Sequence, residues 1–310
     1  MIALVVITVL KHQAIQSGLA EPSLFINRTR FQTINKANFS MGLREQIIVL
    51  VFLFNFASFV SAHEKDTSKA DRSPKNIGTV LVFAGTGWYR HPETAAISGW
   101  LTRLADDVGM QIDVSETPKD ISQILDHYDV LIFNNSNELT KLFDVQQQQK
   151  IQSWYQAGGG IVALHAALVH QAEWEWFSEI AGCDFNSDSE YLKATVIVDP
   201  AMKEHPAVYG KPDHFEYSAD WTNHTRSVTG LSGFKVLLRV DEKTYEPVRD
   251  HFKTRGGRAM GEDHPVAWLH ENGGGRFFYT ELGHDIRSLE TPFGKQHITE
   301  AIKWAAAKSQ

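Results

Sequence analysis

The sequence predicts an α/β fold, a doubly wound and mostly parallel sheet flanked by helices. Short apolar runs alternate with amphipathic helical patterns from residue 79 onward, which is the arrangement of βαβ units. The run at 161–164 is apolar throughout, as expected for a strand buried on both faces. Three glycines at 158–160 precede this strand and His165 follows it. Because ligands bind at the carboxyl ends of such strands, we expect His165 near a functional site.

The other elements are assigned from periodicity and from the residues that begin and end helices. Before residue 165 the sequence predicts strands at 79–84, 111–115 and 128–134 and helices from 92 to 108, at 121–125 and, capped by Asp144, at 144–156. Beyond it, a helix ending at 181 is followed by an antiparallel excursion over 184–260, with strands at 195–198 and 235–240, a hairpin of strands at 264–269 and 276–280, and a helix at 293–307.

The first 76 residues differ in character from this pattern. Residues 41–62 combine a short basic start, an apolar run and small terminal residues, which is typical of a secretory signal peptide. We expect translation to start at Met41, with residues 1–40 an over-extended gene start, and export to the periplasm or beyond after cleavage before His63. The alternative is a start at Met1 with a membrane anchor at 47–62, although that run is short for a span. Residues 63–76 predict a disordered lead-in to one domain at 77–310.

Composition limits the classes of partner and cofactor. The net charge of −7 argues against a nucleic-acid partner, because phosphate binding requires a basic face. The single cysteine, Cys183, excludes an intramolecular disulfide and a cysteine-based zinc cluster. If the signal peptide is cleaved, no stable membrane span remains. The sequence leaves open whether the chain forms a homo-oligomer.

Three histidines, His91, His165 and His284, follow different predicted strands at the same edge of the sheet. With a carboxylate from Asp220 or Glu281, they can perform general acid–base chemistry near neutral pH. They can alternatively hold a divalent metal ion, although the chain lacks a local pair such as His-x-x-x-His here. A structural role for one or two of the histidines is a third interpretation.

Aromatic and polar residues on the neighbouring loops indicate a sugar ligand. Sugar rings stack on aromatic side chains while amide and guanidinium groups bind the hydroxyls. The candidates for stacking are Trp88, Trp174, Trp176 and Trp221, and the candidates for hydrogen bonding are Arg90, Asn134 and Asn135. The alternative for each tryptophan is packing in the core, where a large ring buries well.

Taken in order, the motifs resemble the ThuA-like (trehalose utilisation) family, whose fold is that of class I glutamine amidotransferases and is flavodoxin-like. The matching segments are 87–91, 157–167, the Trp174 and Trp176 pair, 215–221, 264–268 and 275–284. The resemblance implies this fold over 79–306 and a sugar-related role. The chain departs from the family at 168–170, where a carboxylate is missing, and at Glu281, where serine is common.

The expected function is that of an exported ThuA-like enzyme acting on a glycoside or a keto-disaccharide. His165 and His284 would serve as general base and acid, and His91 with Arg90 would orient the substrate. Glutamine hydrolysis is excluded, because His165 stands where an amidotransferase carries its nucleophilic cysteine. A non-catalytic carbohydrate-binding protein and a metal-dependent hydrolase that uses the same histidines remain the alternatives.

Overall fold

The computed structural model describes residues 78–307, and the predicted signal peptide and lead-in lie outside the described residues. Its strands are β1 (Thr79–Phe83), β2 (Gln111–Ser115), β3 (Val130–Asn134), β4 (Gly160–Leu164), β5 (Phe185–Val198), β6 (His214–His224), β7 (Phe234–Val240), β8 (Pro265–Asn272) and β9 (Gly275–Thr280). Its α-helices are α1 (Thr94–Val108), α2 (Pro118–Ile124), α3 (Val145–Gln156), α4 (Glu175–Ala181), α5 (Asp250–Lys253) and α6 (Pro292–Ala306).

All strands of the described chain form one sheet in the order β2-β1-β3-β4-β9-β8-β7-β5-β6. The first five strands in this order pair in parallel, and the pairings from β9 onward are antiparallel. The predicted fold class is therefore confirmed, including the antiparallel excursion in the C-terminal half. The excursion extends the same sheet at its edge.

Alternation along the strands gives the sheet two packed faces. Val80 and Val82 of β1 join the core under α1 and α6, whereas Leu81 and Phe83 join the core under α2, α3 and α4. Successive side chains of a strand point to opposite faces, so a strand that is covered on both sides is apolar at every position. This is the structural reason for the continuous apolar runs in the sequence.

Residues next to the helices determine where the helices begin and end. Asp144 accepts a hydrogen bond from the Gln147 amide, and the Gln147 side chain accepts one from the Asp144 amide, so the predicted cap of α3 is confirmed as a capping box. Gly109 ends α1 with φ 73°. Helix α1 begins at Thr94, two residues later than predicted, and α2 begins at Pro118, three residues earlier than predicted.

Within residues 78–307, no helix combines the length and the apolar character that crossing a membrane requires.

Candidate functional site

The carboxyl ends of three parallel strands bring His91, His165 and His284 together. His91 lies in the loop after β1, His165 directly follows β4, and His284 lies beyond the end of β9. One nitrogen from each ring lies within 4.8 Å of the other two. The ring centroids are separated by 4.7 Å for His165 and His284 and by 5.2 and 5.1 Å for His91 to each of them. Residues separated by up to 193 positions thus form one cluster, as the shared sheet edge predicts.

His165 has an unusual backbone conformation at the end of β4. Its φ is 43°, in the left-handed region, and the chain turns there into a short 3₁₀ helix, His165–Leu168. This conformation costs a residue with a side chain about 1–2 kcal/mol, and such strain is concentrated at functional positions. The hydroxyl of Tyr279 donates a hydrogen bond to the His165 carbonyl oxygen at 3.2 Å. The sharp turn thus directs the His165 side chain toward the other two rings.

A buried carboxylate fixes the orientation of His165. Nδ1 of His165 lies 2.6 Å from Oε1 of Glu281, which also accepts a hydrogen bond from the Thr222 hydroxyl at 2.5 Å. The Tyr279 hydroxyl donates to the other oxygen of Glu281 at 2.8 Å. Burial raises the pKa of Glu281 to about 8, and burial together with nearby His284 lowers the pKa of His165 well below its usual value. His165 is therefore held as a neutral imidazole with Nε2 unengaged.

A second carboxylate supports His284 in the same way. Oδ2 of Asp220, on β6, lies 2.9 Å from Nδ1 of His284, and Arg249 donates from Nη2 to Oδ1 of Asp220 at 2.5 Å. Burial alone would lower the pKa of His284, but the contact with Asp220 raises it above its usual value. Both rings thus use Nδ1 for a carboxylate, which leaves Nε2 for a ligand.

His91 completes the cluster without such support. Its Nδ1 is buried and has no hydrogen-bond partner among residues 78–307. Burial, followed by the positive charge that His165 and His284 can carry, lowers the pKa of His91 to about 2. A buried nitrogen without a partner is costly, so this nitrogen calls for a ligand or a hydrogen-bond partner.

A cavity of about 260 Å³ opens beside the three histidines. Two charged residues that sequence reasoning missed line it, namely Asp188 on β5 and Arg249 just before α5. Oδ1 of Asp188 lies 2.9 Å from Nε of Arg249, and burial raises the pKa of Asp188 to about 7. Both residues lie in the excursion, and only its long-range strand pairing brings them to the histidines. No local sequence signal would have identified them.

A known protein family covers nearly all of the described part of the chain. The family model described as "ThuA: Trehalose utilisation" matches residues 79–305. The chain belongs to the ThuA family. Membership supports a role related to trehalose utilisation in general and agrees with the resemblance found in the motifs.

Two solved ThuA-like structures share the fold. A ThuA-like protein from Bacteroides uniformis ATCC 8492 is 22% identical with a TM-score of 0.63, and the match covers 76% of this chain and 94% of that one. A ThuA-like protein from Parabacteroides merdae ATCC 43184 is 18% identical with a TM-score of 0.54, covering 75% of this chain and 92% of that one. No curated protein matches the chain.

In this ThuA family member, the polar residues predicted to bind sugar hydroxyls make contacts within the protein. Asn134 and Asn135 are fully buried and donate to the carbonyl oxygens of Thr94 and Gly283 at 2.9 and 2.8 Å, which ties the end of β3 to α1 and to the His284 loop. Arg90 pairs with Glu116 at 2.6 Å outside the cavity. None of these three polar residues lines the cavity beside the histidines.

The four tryptophans predicted to stack on a sugar lie in two kinds of environment, the cavity lining and the core. Trp88 lines the cavity and is 60% exposed, as a stacking platform requires. Trp174 is buried and stacks on Phe177 with 5.4 Å between centroids, and Trp176 packs against Tyr155 at the same distance. Trp221 is buried on the opposite face of the sheet. The structure therefore places these three rings in core packing, which is the alternative that their large apolar area favours.

Proposed function

We propose that His91, His165 and His284 bind one divalent metal ion and that the protein is a metal-dependent enzyme acting on a glycoside or a keto-disaccharide. The observation that carries this proposal is the convergence of three imidazoles, two of them held at Nδ1 by buried carboxylates. Three histidines with an open position are a known donor set for catalytic zinc. The pairing of each ligand imidazole with a carboxylate is how proteins orient metal-binding histidines.

The charges around the cavity support a cation. Three buried acids, Asp188, Asp220 and Glu281, surround the histidines, and Arg249 is the one lysine or arginine among the described residues that line the cavity. Buried charge without compensation is expensive. A divalent cation would favour the ionised forms of Glu281 and Asp188, whose pKa values burial raises. The orphaned Nδ1 of His91 would gain a role as a ligand or as the support of one.

The metal ion and the charged residues beside the histidines would have different roles in the reaction. A divalent ion in this site would supply Lewis-acid polarisation of a bound oxygen. Asp188 contacts Arg249 but neither of the carboxylate-supported histidines, whereas Asp220 and Glu281 are each occupied with a histidine. Asp188 is therefore the carboxylate available to take a proton from a bound group or to return it. Arg249 contacts both Asp188 and Asp220 and fixes their positions.

One observation favours a second candidate, acid–base catalysis without a metal. The raised pKa of His284 beside Asp220 suits an imidazole that exchanges a proton near neutral pH. In that scheme, Asp220 sets the tautomer of His284, and neutral His165 acts as the base. The two candidates differ in one measurable respect, because only the first requires a bound ion.

Elemental analysis of the purified protein, before and after chelation and reloading, tests the metal proposal. We expect about one metal ion per chain, lost in His91→Ala, His165→Ala and His284→Ala. His251→Ala is the matched control, because His251 lines the same cavity outside the cluster. A folded wild-type protein without metal, active on a disaccharide in a screen of trehalose, other disaccharides and their keto forms, would favour the second candidate.

We also propose that the protein is exported, on the basis of the signal-peptide pattern at 41–62. Expression of residues 41–310 in a bacterial host should yield a product whose amino terminus is His63, as determined by intact mass. A product that retains residues 41–62 in the membrane fraction would support the anchor interpretation instead.

A further inference from the structure

The cavity beside the histidines has a polar end and an aromatic end. The polar end consists of the histidine cluster with Asp188 and Arg249. The aromatic end is lined by Trp88, Tyr89, Phe185 and Phe252. Pockets that bind small molecules are mostly apolar with a few placed polar groups. Here the two ends adjoin at Tyr89, whose ring lies 4.9 Å from that of His91 between centroids.

The aromatic end presents uncovered ring surface. Trp88 is 60% and Tyr89 49% exposed, although they are neighbours on one loop. Across the cavity lining, Phe185 and Phe252 meet edge to face with 5.5 Å between centroids, and neither is fully buried. Four partly uncovered aromatic rings at one opening exceed what scattered surface residues produce, and such patches mark binding surfaces.

The side-chain amide at the aromatic end is already engaged within the protein. Asn137 is the amide that lines it, and its Oδ1 accepts from the backbone amides of Trp88 and Tyr89 at 3.0 and 3.2 Å. Its Nδ2 donates to the carbonyl oxygens of Tyr89 and Asn135 at 2.6 and 3.2 Å. Both donors and both acceptor positions of Asn137 are thus used to hold the Trp88–Tyr89 loop.

We propose that the substrates are glycosides with an aromatic aglycone, whose sugar lies at the histidine end and whose aromatic ring lies among Trp88, Phe185 and Phe252. This inference rests on the proposed function for the position of the sugar. The Phe185 and Phe252 rings carry no hydrogen-bonding group, so a second sugar ring placed against them would exchange hydroxyl–water hydrogen bonds for apolar contacts, which is unfavourable. An aryl group loses no hydrogen bonds there and gains ring–ring contacts.

Isothermal titration calorimetry on the zinc-loaded full chain tests the inference. The probes are phenyl and methyl D-glucopyranosides, each as both anomers, and trehalose. We expect a phenyl glucoside to bind about tenfold more tightly than its methyl counterpart and than trehalose. Phe252→Ala should remove most of the difference between phenyl and methyl, whereas Tyr209→Ala, which changes an exposed ring outside the cavity, should preserve it.

Equal affinities for phenyl and methyl glucosides, tighter binding of trehalose, or no binding of any probe would overturn the inference. The metal proposal can be rejected independently of this inference. If the histidines hold no metal but the phenyl preference persists and depends on Phe252, the aromatic site stands and only the metal-dependent chemistry is rejected.

Discussion

Glu281 is buried, which is energetically unfavourable for an ionised carboxylate. It contacts Thr222, Tyr279 and His165, so each oxygen is committed to a neighbour. Burial nevertheless dominates and raises its pKa to about 8. The residue therefore orients His165 at a cost, which is the pattern expected where stability is given up for the arrangement of a site.

In the metal-free protein, we expect Glu281 to make the free energy of unfolding fall as the pH rises. Between its ordinary pKa of 4.5 and about 8, the folded chain keeps a proton that the unfolded chain has lost. Stability therefore decreases with pH in this window, by at most about 1.4 kcal/mol per pH unit. Urea denaturation between pH 6.5 and 8 should show a flatter decrease for Glu281→Gln than for the wild type. Exposed Glu179→Gln is the control, and equal slopes for Glu281→Gln and wild type would contradict the prediction.

Asp188→Asn should separate proton transfer from binding. The amide keeps the shape of the side chain but cannot accept a proton, so the rate of turnover should fall by about 10²- to 10⁴-fold. Metal content should remain unchanged, because Asp188 is not in the histidine cluster. Turnover is measured on the sugar identified by the substrate screen, with His251→Gln as a control in the same cavity. An unchanged rate for Asp188→Asn would remove this residue from the chemical step.

At the scale of elements, close packing of β4 against α6 positions the turn at His165. A Cβ added to Gly160, the first residue of β4, would lie 2.2 Å from the backbone oxygen of Ala305 in α6. Any larger residue must push the helix away from the strand. Gly160, the last of the three glycines at 158–160, thus permits a close approach of β4 and α6.

Gly160→Ala should therefore destabilise the protein by about 1–3 kcal/mol, the usual cost of overpacking a core. Gly99→Ala is the matched control, because Gly99 lies in α1 and an added Cβ meets only the flexible end of Arg103 at 3.6 Å. That change should be neutral or stabilising, since alanine favours a helix more than glycine does. Chemical denaturation of both variants measures the difference, and equal stability would show that α6 can shift freely.

The elements that the sequence predicted well are those whose signal is local. The buried strand β4 and the capping box of Asp144 depend on neighbouring residues, and both were recovered. Strand β6 was not predicted and β5 was predicted only in its last part, because both contain polar residues whose burial depends on pairing with each other. For the same reason, the sequence did not predict Asp188 as a site residue.

For the whole molecule, the candidate site joins the two halves of the sheet. The histidines follow parallel strands, whereas Asp188 and Asp220 come from β5 and β6 at the far antiparallel edge of the strand order. The two halves are already joined by the pairing of β8 with β9, and the cluster of charged side chains adds a contact between the loops of the parallel half and strands β5 and β6. Whatever binds the histidines should stabilise the domain as a unit.

A metal ion that binds only the folded chain adds a stability that depends on its concentration. With Zn²⁺ at about 100 times its dissociation constant, the gain is about 2.7 kcal/mol, or roughly 5–10 °C in Tm for a domain of this size. Scanning calorimetry with Zn²⁺ and with a chelator should show this shift in wild type and in His251→Ala, and no shift in His165→Ala.

Asp220→Asn tests whether the antiparallel half takes part in that effect. Loss of the carboxylate behind His284 should weaken metal binding by about 10- to 100-fold, as for other carboxylates that orient a ligand histidine. At the same Zn²⁺ concentration, the thermal shift should shrink by about half or more. A full shift in Asp220→Asn would mean that the parallel half holds the ion alone, and that Asp220 serves only to neutralise Arg249.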